Sequence, residues 1–190
     1  MSDNKNVSVG KPKVSGSVYR APVGTALPTD AVTALNEAFK SMGYVGEDGV
    51  TNTISKTTSK IKEWGGAVVL VTLTESSDQV KMKMIESLNV DVLKAVFGDD
   101  NVSGTLATGI TVNVNADDAE AYAWVIEMIL QDEGVKRLVF PNMSLSALGD
   151  IIYKSDTAIG YDCTFDALPD DSGNTHYEYI KRPASASSGD

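Results

Sequence analysis

Alternation of apolar and polar residues with a period of two is the feature that most constrains the fold of this 190-residue chain. Residues 79–85 read QVKMKMI, so one valine and two methionines alternate with two lysines. Successive side chains of a strand point to opposite faces, and the pattern therefore predicts a half-buried antiparallel strand. Residues 67–74 read AVVLVTLT and are rich in β-branched side chains. The two segments are predicted to form a hairpin around a turn at residues 76–78.

Short strand patterns continue along the chain, separated by turn signals at intervals of about ten residues. They are predicted at residues 109–115, 122–130, 135–140, 151–154 and 158–167, with turns at 132–134, 141–142 and 150. Asn89 and Gly98 suit the two ends of a short helix over residues 90–97. Many short strands with regular turns are typical of an antiparallel β-sandwich or barrel, so the predicted fold class is mainly β.

A longer α-helix is predicted over residues 30–42, where it would flank the sandwich. Thr29 or Asp30 can cap its first turn, and Gly43 can end it. Apolar side chains recur through this segment at helical spacing. They are Ala31, Leu35, Ala38, Phe39 and Met42.

Residues 44–66 follow that helix and are dominated by Thr, Ser, Asn, Lys and Gly. Loops of this length inside a compact domain are uncommon and usually functional. We predict a long flap loop, with an extended hairpin as the alternative, that does not pack tightly on the rest of the domain. Trp64 lies in this polar segment, where a large aromatic residue suggests either a hinge anchor or a partner contact.

The chain is predicted to consist of one domain and two arms. The β-sandwich domain covers residues 20–168, between an N-terminal arm at 1–19 and a C-terminal arm at 169–190 whose last residues are expected to be disordered. No run of about 18 apolar residues occurs, so no membrane-spanning helix is expected. The first residues lack the apolar core of a signal peptide, so export by that route is not expected.

The charge balance and the scarcity of reactive residues exclude several functional classes. With 16 Lys and Arg against 26 Asp and Glu, the formal net charge is −10, which disfavours nucleic-acid binding. Cys163 is expected in the core and His176 on the surface, and together they are too few ligands for a zinc site. Paired aspartates in turns are usually solvated turn residues. No phosphate-binding loop, nucleophile elbow or zinc-protease motif occurs. We therefore predict no catalytic, cofactor-binding or metal-binding residue and no enzymatic activity.

Four segments carry a family resemblance. They are residues 10–52, 61–75, 85–98 and 158–181, which include RAPVGTALPTDAVTALNEAF, IKEWGGAVVLVTLTE, IESLNVDVLKAVFG and AIGYDCTFDALPDDSGNTHYEYIK. Together and in this order they resemble the major tail tube proteins of long-tailed bacteriophages of the siphophage type. The resemblance covers about residues 10–181 and depends on no single motif.

The resemblance implies a structural subunit with a β-sandwich fold and a flanking helix. Six copies would form a ring, and rings would stack into a tube around a tape measure protein, with a tail terminator and distal tail or baseplate proteins as further partners. Double-stranded DNA would pass through the lumen during ejection without specific binding, which the excess of acidic residues suits. The implied location is the virion tail, with assembly in the host cytoplasm, no membrane insertion and no cofactor.

In that family, ring-to-ring contacts come from the long loop and the terminal arms. These correspond here to residues 44–66, 1–19 and the stretch from residue 169. Bulky side chains within these segments are therefore candidate inter-subunit contacts. They are Tyr44, Val50, Ile54, Ile61, Trp64, Tyr177 and Tyr179.

Other interpretations stay open. An adhesin-like β-sandwich on a virion or cell surface would bind ligand through acidic turns and Trp64, and would remain monomeric or form a closed oligomer. An enzyme would need a site of carboxylates and tyrosines with strongly shifted pKa values. Within the tail family, the inner tube of a contractile tail or of a tailocin is the alternative to the non-contractile class.

Overall fold

The computed structural model describes residues 2–13 and 16–182. Within them the chain forms strands β1 to β11 and one α-helix, α1 (Val90–Phe97). The strands are β1 (Lys11–Pro12), β2 (Val18–Pro22), β3 (Lys40–Ser41), β4 (Val45–Lys62), β5 (Val68–Met84), β6 (Val102–Thr105), β7 (Gly109–Val112), β8 (Ala121–Ile129), β9 (Val135–Leu148), β10 (Tyr161–Ala167) and β11 (Tyr177–Lys181). The final residues, 183–190, which were expected to be disordered, lie outside the described residues.

Nine of the described strands form one antiparallel sheet. The order across it is β3-β2-β8-β9-β10-β5-β4, while β1 pairs with β8 and β11 pairs with β9. The long strand β9 has two partners on one side, because residues 135–139 pair with β11 and residues 143–148 pair with β10. Strands β6 and β7 form a separate two-stranded sheet.

Apolar side chains are buried on both faces of the large sheet. Along β8, Trp124 and Ile126 enter one hydrophobic cluster, and Ala123 and Val125 enter another. Helix α1 and the β6–β7 pair cover the first face, and side chains from residues 27–39 cover the second. This arrangement confirms the predicted fold class, a mainly β antiparallel sandwich with one flanking helix.

The helix itself is not where the longer helical pattern predicted it. Residues 30–42 form bends, turns and the short strand β3, so the prediction of a helix over 30–42 is wrong. The apolar face of that segment is buried nevertheless: Ala31, Phe39 and Met42 belong to the core. The pattern thus identified the buried side chains correctly and the backbone conformation incorrectly.

Competing hydrogen bonds explain the missing helix. The Asp30 carboxylate accepts from the amides of Val32 and Thr33, as a helix cap would. Arg137 on β9, however, donates to the carbonyl oxygens of Asp30 at 2.7 Å and Thr33 at 2.9 Å. In an α-helix these carbonyls would accept from amides four residues later. A buried guanidinium from a distant strand takes their place and holds the segment in an irregular form.

The shorter helix is confirmed as α1. Asn89 accepts a hydrogen bond from the amide of Asp91, and the amide of Gly98 donates to the carbonyl of Lys94, so the predicted cap and stop residues end it. Within the described part of the chain, no helix combines the length and the apolar character that a membrane span needs.

The long flap is a strand. Residues 45–62 form β4 and pair with β5 at residue 45 and from residue 50 to 62, so the predicted loop over 44–66 is corrected in favour of the hairpin alternative. The predicted turn at 76–78 is also wrong, because β5 runs without a break from Val68 to Met84. The two segments 67–74 and 79–85 are parts of one strand and cannot pair with each other.

Two predicted features late in the chain also change. Strand β9 continues through residues 141–142, where a turn was predicted, because Pro141 lies at an irregularity in the register between β8 and β9. A proline at a bulge removes no ladder hydrogen bond. The strand predicted over 151–154 is absent, and only an isolated bridge joins Lys154 to Thr157.

Candidate functional site

The outer part of the β4–β5 hairpin projects from the sheet. We call residues 53–76 the hairpin arm, because every residue in this range is exposed. At about 3.3 Å per residue, a strand of ten residues extends roughly 33 Å. A two-stranded ribbon without a third strand or packed partner is marginally stable in water. The hairpin arm is therefore a surface that contact with another molecule would stabilise.

One face of the hairpin arm is cationic and apolar. Lys56, Lys60 and Lys62 lie on one face of β4, with Thr58 between the first two. Residues directly opposite in an antiparallel pair share a face. Val71 lies opposite Lys60, and Leu73 takes the next position on the same face. Val71 is 53% exposed and Leu73 is 58% exposed. We call this surface the lysine face.

The opposite face is mostly neutral. Ile61 lies there opposite Leu70, and the other paired positions are Ser or Thr apart from Glu75. Both apolar side chains are about half exposed. This face is therefore polar apart from one exposed apolar pair, whereas the outward positions of an ordinary solvated strand are polar throughout.

A tight turn closes the tip of the hairpin arm. The amide of Glu63 donates to the carbonyl of Ala67, and the amide of Gly66 donates to the carbonyl of Glu63, both at 2.9 Å. Gly66 has φ of 92°, which a residue with a side chain rarely adopts. Trp64 stands at this tip and is fully exposed.

A polar cluster fixes the root of the hairpin arm. Asp78 on β5 is only 3% exposed and accepts hydrogen bonds from Asn52 on β4 and from Thr175, both at 2.6 Å. Nδ1 of His176 also contacts this carboxylate, and its ring lies 4.9 Å from that of Phe140. The cluster joins both strands of the hairpin to the segment that leads into β11.

The same cluster sets the charge state of Asp78. Burial raises the pKa of Asp78, but the hydrogen bonds from Thr175, Asn52 and His176 outweigh it and hold the pKa below its ordinary value of 3.8. The carboxylate is therefore ionised at neutral pH, with its charge stabilised by donors from two segments, β4 and residues 175–176.

The structure places the predicted contact residues in three locations. Ile54, Ile61 and Trp64 lie exposed on the hairpin arm. Tyr44 is exposed just before β4, and Val50 is partly buried against the core.

The two remaining candidates lie together on β11. Tyr177 and Tyr179 stack with ring centroids 6.4 Å apart and pack partly buried against the core. The hydroxyl of Tyr177 donates to Asp170 at 2.6 Å. Their packing gives these tyrosines a role within the subunit, and any contact with another copy stays a prediction.

Cys163 and His176, the candidates for catalysis or metal binding, have structural roles. Cys163 is fully buried, as predicted, and burial and then the charge of Asp162 raise the pKa of its thiol to about 12. The prediction of a surface histidine is wrong, because the His176 side chain is 11% exposed within the root cluster. Among the described residues, no three His, Cys, Asp or Glu side chains converge in a way that could hold a metal ion.

Comparison with known protein families identifies the family of this chain. The family model described as Phage tail tube protein matches residues 1–189. The chain belongs to the phage tail tube protein family. A sequence search of curated proteins returned no match. Membership confirms the resemblance found in the sequence and makes the chain a structural subunit of a homo-oligomeric tube in the virion tail.

The sequence predictions for this tail tube protein missed the apolar residues of the outer half of β5. Val71 and Leu73 lie in the run AVVLVTLT, which was predicted only as one strand of a hairpin, and neither was named as a candidate contact. The available signal was that apolar residues fill consecutive positions there. In a two-stranded ribbon such a run has apolar side chains on both faces, and both then need a partner.

Proposed function

We propose that this tail tube protein forms rings of six copies that stack into the conduit for DNA ejection into the host. In this proposal the tube grows in the host cytoplasm around a tape measure protein, and it joins a tail terminator and distal tail or baseplate proteins. The four segments that carry the family resemblance favour the non-contractile siphophage class. The observation that carries the proposal is the hairpin arm.

The hairpin arm supports assembly because its own subunit leaves it uncovered. Exposed Val71, Leu73 and Leu70 lie on two faces, and each is at least half exposed. Burying apolar surface stabilises by about 25 cal/mol per Å². A neighbouring copy that covers either face would therefore gain stability that the isolated subunit does not have.

The edge of the sheet offers a second contact. Strand β4 is the last in the sheet and is 18 residues long, so one row of its backbone groups has no strand partner within the described residues. Long open edges recruit further strands, and lysines on the edge oppose uncontrolled pairing. The inner edge of β4, at residues 45–52, and the hairpin arm, at residues 53–76, are two separate contacts. Closing and non-closing contacts together produce stacked rings.

The charge of the chain is compatible with a DNA conduit. Phosphate binding requires a basic surface and releases counterions. With a net charge of −10, the subunit has no overall attraction for DNA. A lumen with this character would let DNA move without being held.

Electron microscopy of the purified chain at rising concentration tests this function. The full chain is expected to form hollow rods. A truncated variant replaces residues 56–76 with Asn-Gly, which joins Ser55 and Ser77 because these residues are paired and Asn-Gly favours a two-residue hairpin turn. The truncation keeps the Asp78 cluster and is expected to remain folded and to form no rods.

A matched control replaces Leu106 and Ala107, in the exposed β6–β7 turn, with Asn-Gly and keeps the hairpin arm. This control should form rods. Rods from the truncated variant would remove the hairpin arm from the proposal. If the full chain stays monomeric even with a tape measure protein and a tail initiation complex, the tube function fails and an adhesin-like module is favoured.

A further inference from the structure

A second surface complements the lysine face in charge. It is a groove with a cavity of about 280 Å³, between the last turn of α1, the loop that follows β7 and the end of β9. We call it the acidic groove. Its carboxylates are Asp99, Asp100, Asp117, Asp118 and Glu120.

Most of this negative charge is not neutralised within the subunit. Arg20 pairs with Asp99 at 2.7 Å. Among the described residues, no cation pairs with the other four carboxylates. Lys94 is the one basic residue of the groove lining. Clustered like charges repel one another, and a cationic partner would relieve that repulsion.

The acidic groove also has an apolar component. Val114 and Leu148 line it together with Leu145, and Val114 is 77% exposed. The lysine face has the same composition with the opposite charge, since exposed Val71 and Leu73 lie beside three lysines. The two surfaces are complementary both in sign and in having an apolar strip.

The two surfaces lie at opposite ends of β5. The hairpin arm occupies its outer half, whereas α1, whose last turn lines the groove, begins six residues after its inner end at Met84. Leu148 pairs with Cys163, which itself pairs with Met82 near that inner end. A contact between opposite ends of two copies is heterologous and can repeat without closing.

We propose that the lysine face of the hairpin arm in one copy docks over the acidic groove of a second copy of this chain. The inference rests on the proposed tube function and names the surface that receives the hairpin arm. The lysines lie over the four unpaired carboxylates, while Val71 and Leu73 cover Val114 and Leu148. Charge complementarity of this kind fixes orientation and excludes incorrect partners.

Charge reversal tests the docking. In the full chain, K60E/K62E is expected to raise the concentration needed for tube formation by about tenfold or more, because like charges would face each other. The groove variant D117K/D118K is expected to do the same. The combined variant K60E/K62E/D117K/D118K restores opposite charges across the contact and is expected to assemble close to the wild-type concentration.

Controls separate this inference from the tube function. K40E/K154E reverses two exposed lysines outside the hairpin arm and should assemble like the wild type. Two results would overturn the docking alone. One is tube formation by K60E/K62E at the wild-type concentration. The other is failure of the combined variant to assemble although circular dichroism shows that it is folded. If the wild type forms no tubes even with its initiation complex and tape measure protein, the tube function is overturned as well.

Discussion

The buried guanidinium of Arg137 determines the conformation of a segment distant in sequence. It is 2% exposed, pairs with Glu127 on β8, and donates to the carbonyls of Asp30 and Thr33. Lys13 contributes a second cation to Glu127 at 2.9 Å. Replacing Arg137 would leave two carbonyls without donors and would weaken the neutralisation of a buried carboxylate.

We expect Arg137→Met to lower the free energy of unfolding by about 3–5 kcal/mol, the range found when one partner of a buried ion pair is removed. Lys13→Met, at the exposed end of the same cluster, should cost about 1 kcal/mol or less. Urea unfolding followed by circular dichroism measures both. Equal losses in the two variants would show that Arg137 does not anchor the 30–33 segment.

The Asp78 cluster predicts a pH dependence of stability. The folded pKa of Asp78 is lowered, so the unfolded state takes up the proton first as pH falls, and the stabilisation present above about pH 4 is lost below it. Asp78→Asn removes this contribution and is expected to flatten the decline in stability below about pH 4. Thr175→Val, which removes one donor, should give an intermediate slope. Identical slopes for D78N and the wild type would contradict the assignment.

At the scale of single elements, the hairpin arm can be followed by tryptophan fluorescence. Trp64 is fully exposed at its tip, whereas Trp124 is 1% exposed in the core. When the hairpin arm docks, the emission of Trp64 is expected to shift to shorter wavelength as water leaves the indole ring, while that of Trp124 stays constant. Fluorescence during assembly measures the shift, and Trp64→Phe should abolish it. Tubes of the wild type without any shift would place the tip outside the contact.

For the molecule as a whole, local patterns in the sequence predicted what local interactions decide. Asn89 and Gly98 bracket α1, and the alternation in residues 79–85 marks a half-buried stretch, as predicted. The helix over 30–42 failed because Arg137, more than a hundred positions away, provides the hydrogen bonds that decide its conformation. Long-range partners of this kind leave no trace in a local pattern.

The same distinction between local and long-range interactions applies to the candidate site. Ile54, Ile61 and Trp64 attracted notice because bulky apolar residues are rare in their polar surroundings, and all three are exposed. Val71 was not among the candidates, because its segment was predicted only as one strand of a hairpin. The root cluster could not be anticipated, since it brings Asp78 to His176 across 98 positions. The formation of this cluster depends on the order of strands in the sheet, which one sequence does not specify.

The uncovered hairpin arm has a kinetic consequence for tube formation. Ordering a residue loses about 1–2 kcal/mol of backbone entropy. When two free copies meet, one hairpin arm is ordered for a single contact, whereas a copy that joins a finished ring meets several surfaces already held in place. Nucleation is therefore the slow step, and elongation from an existing end is fast. Pre-formed seeds should remove the lag phase, so the number of tubes follows the number of starting complexes rather than the supply of subunits.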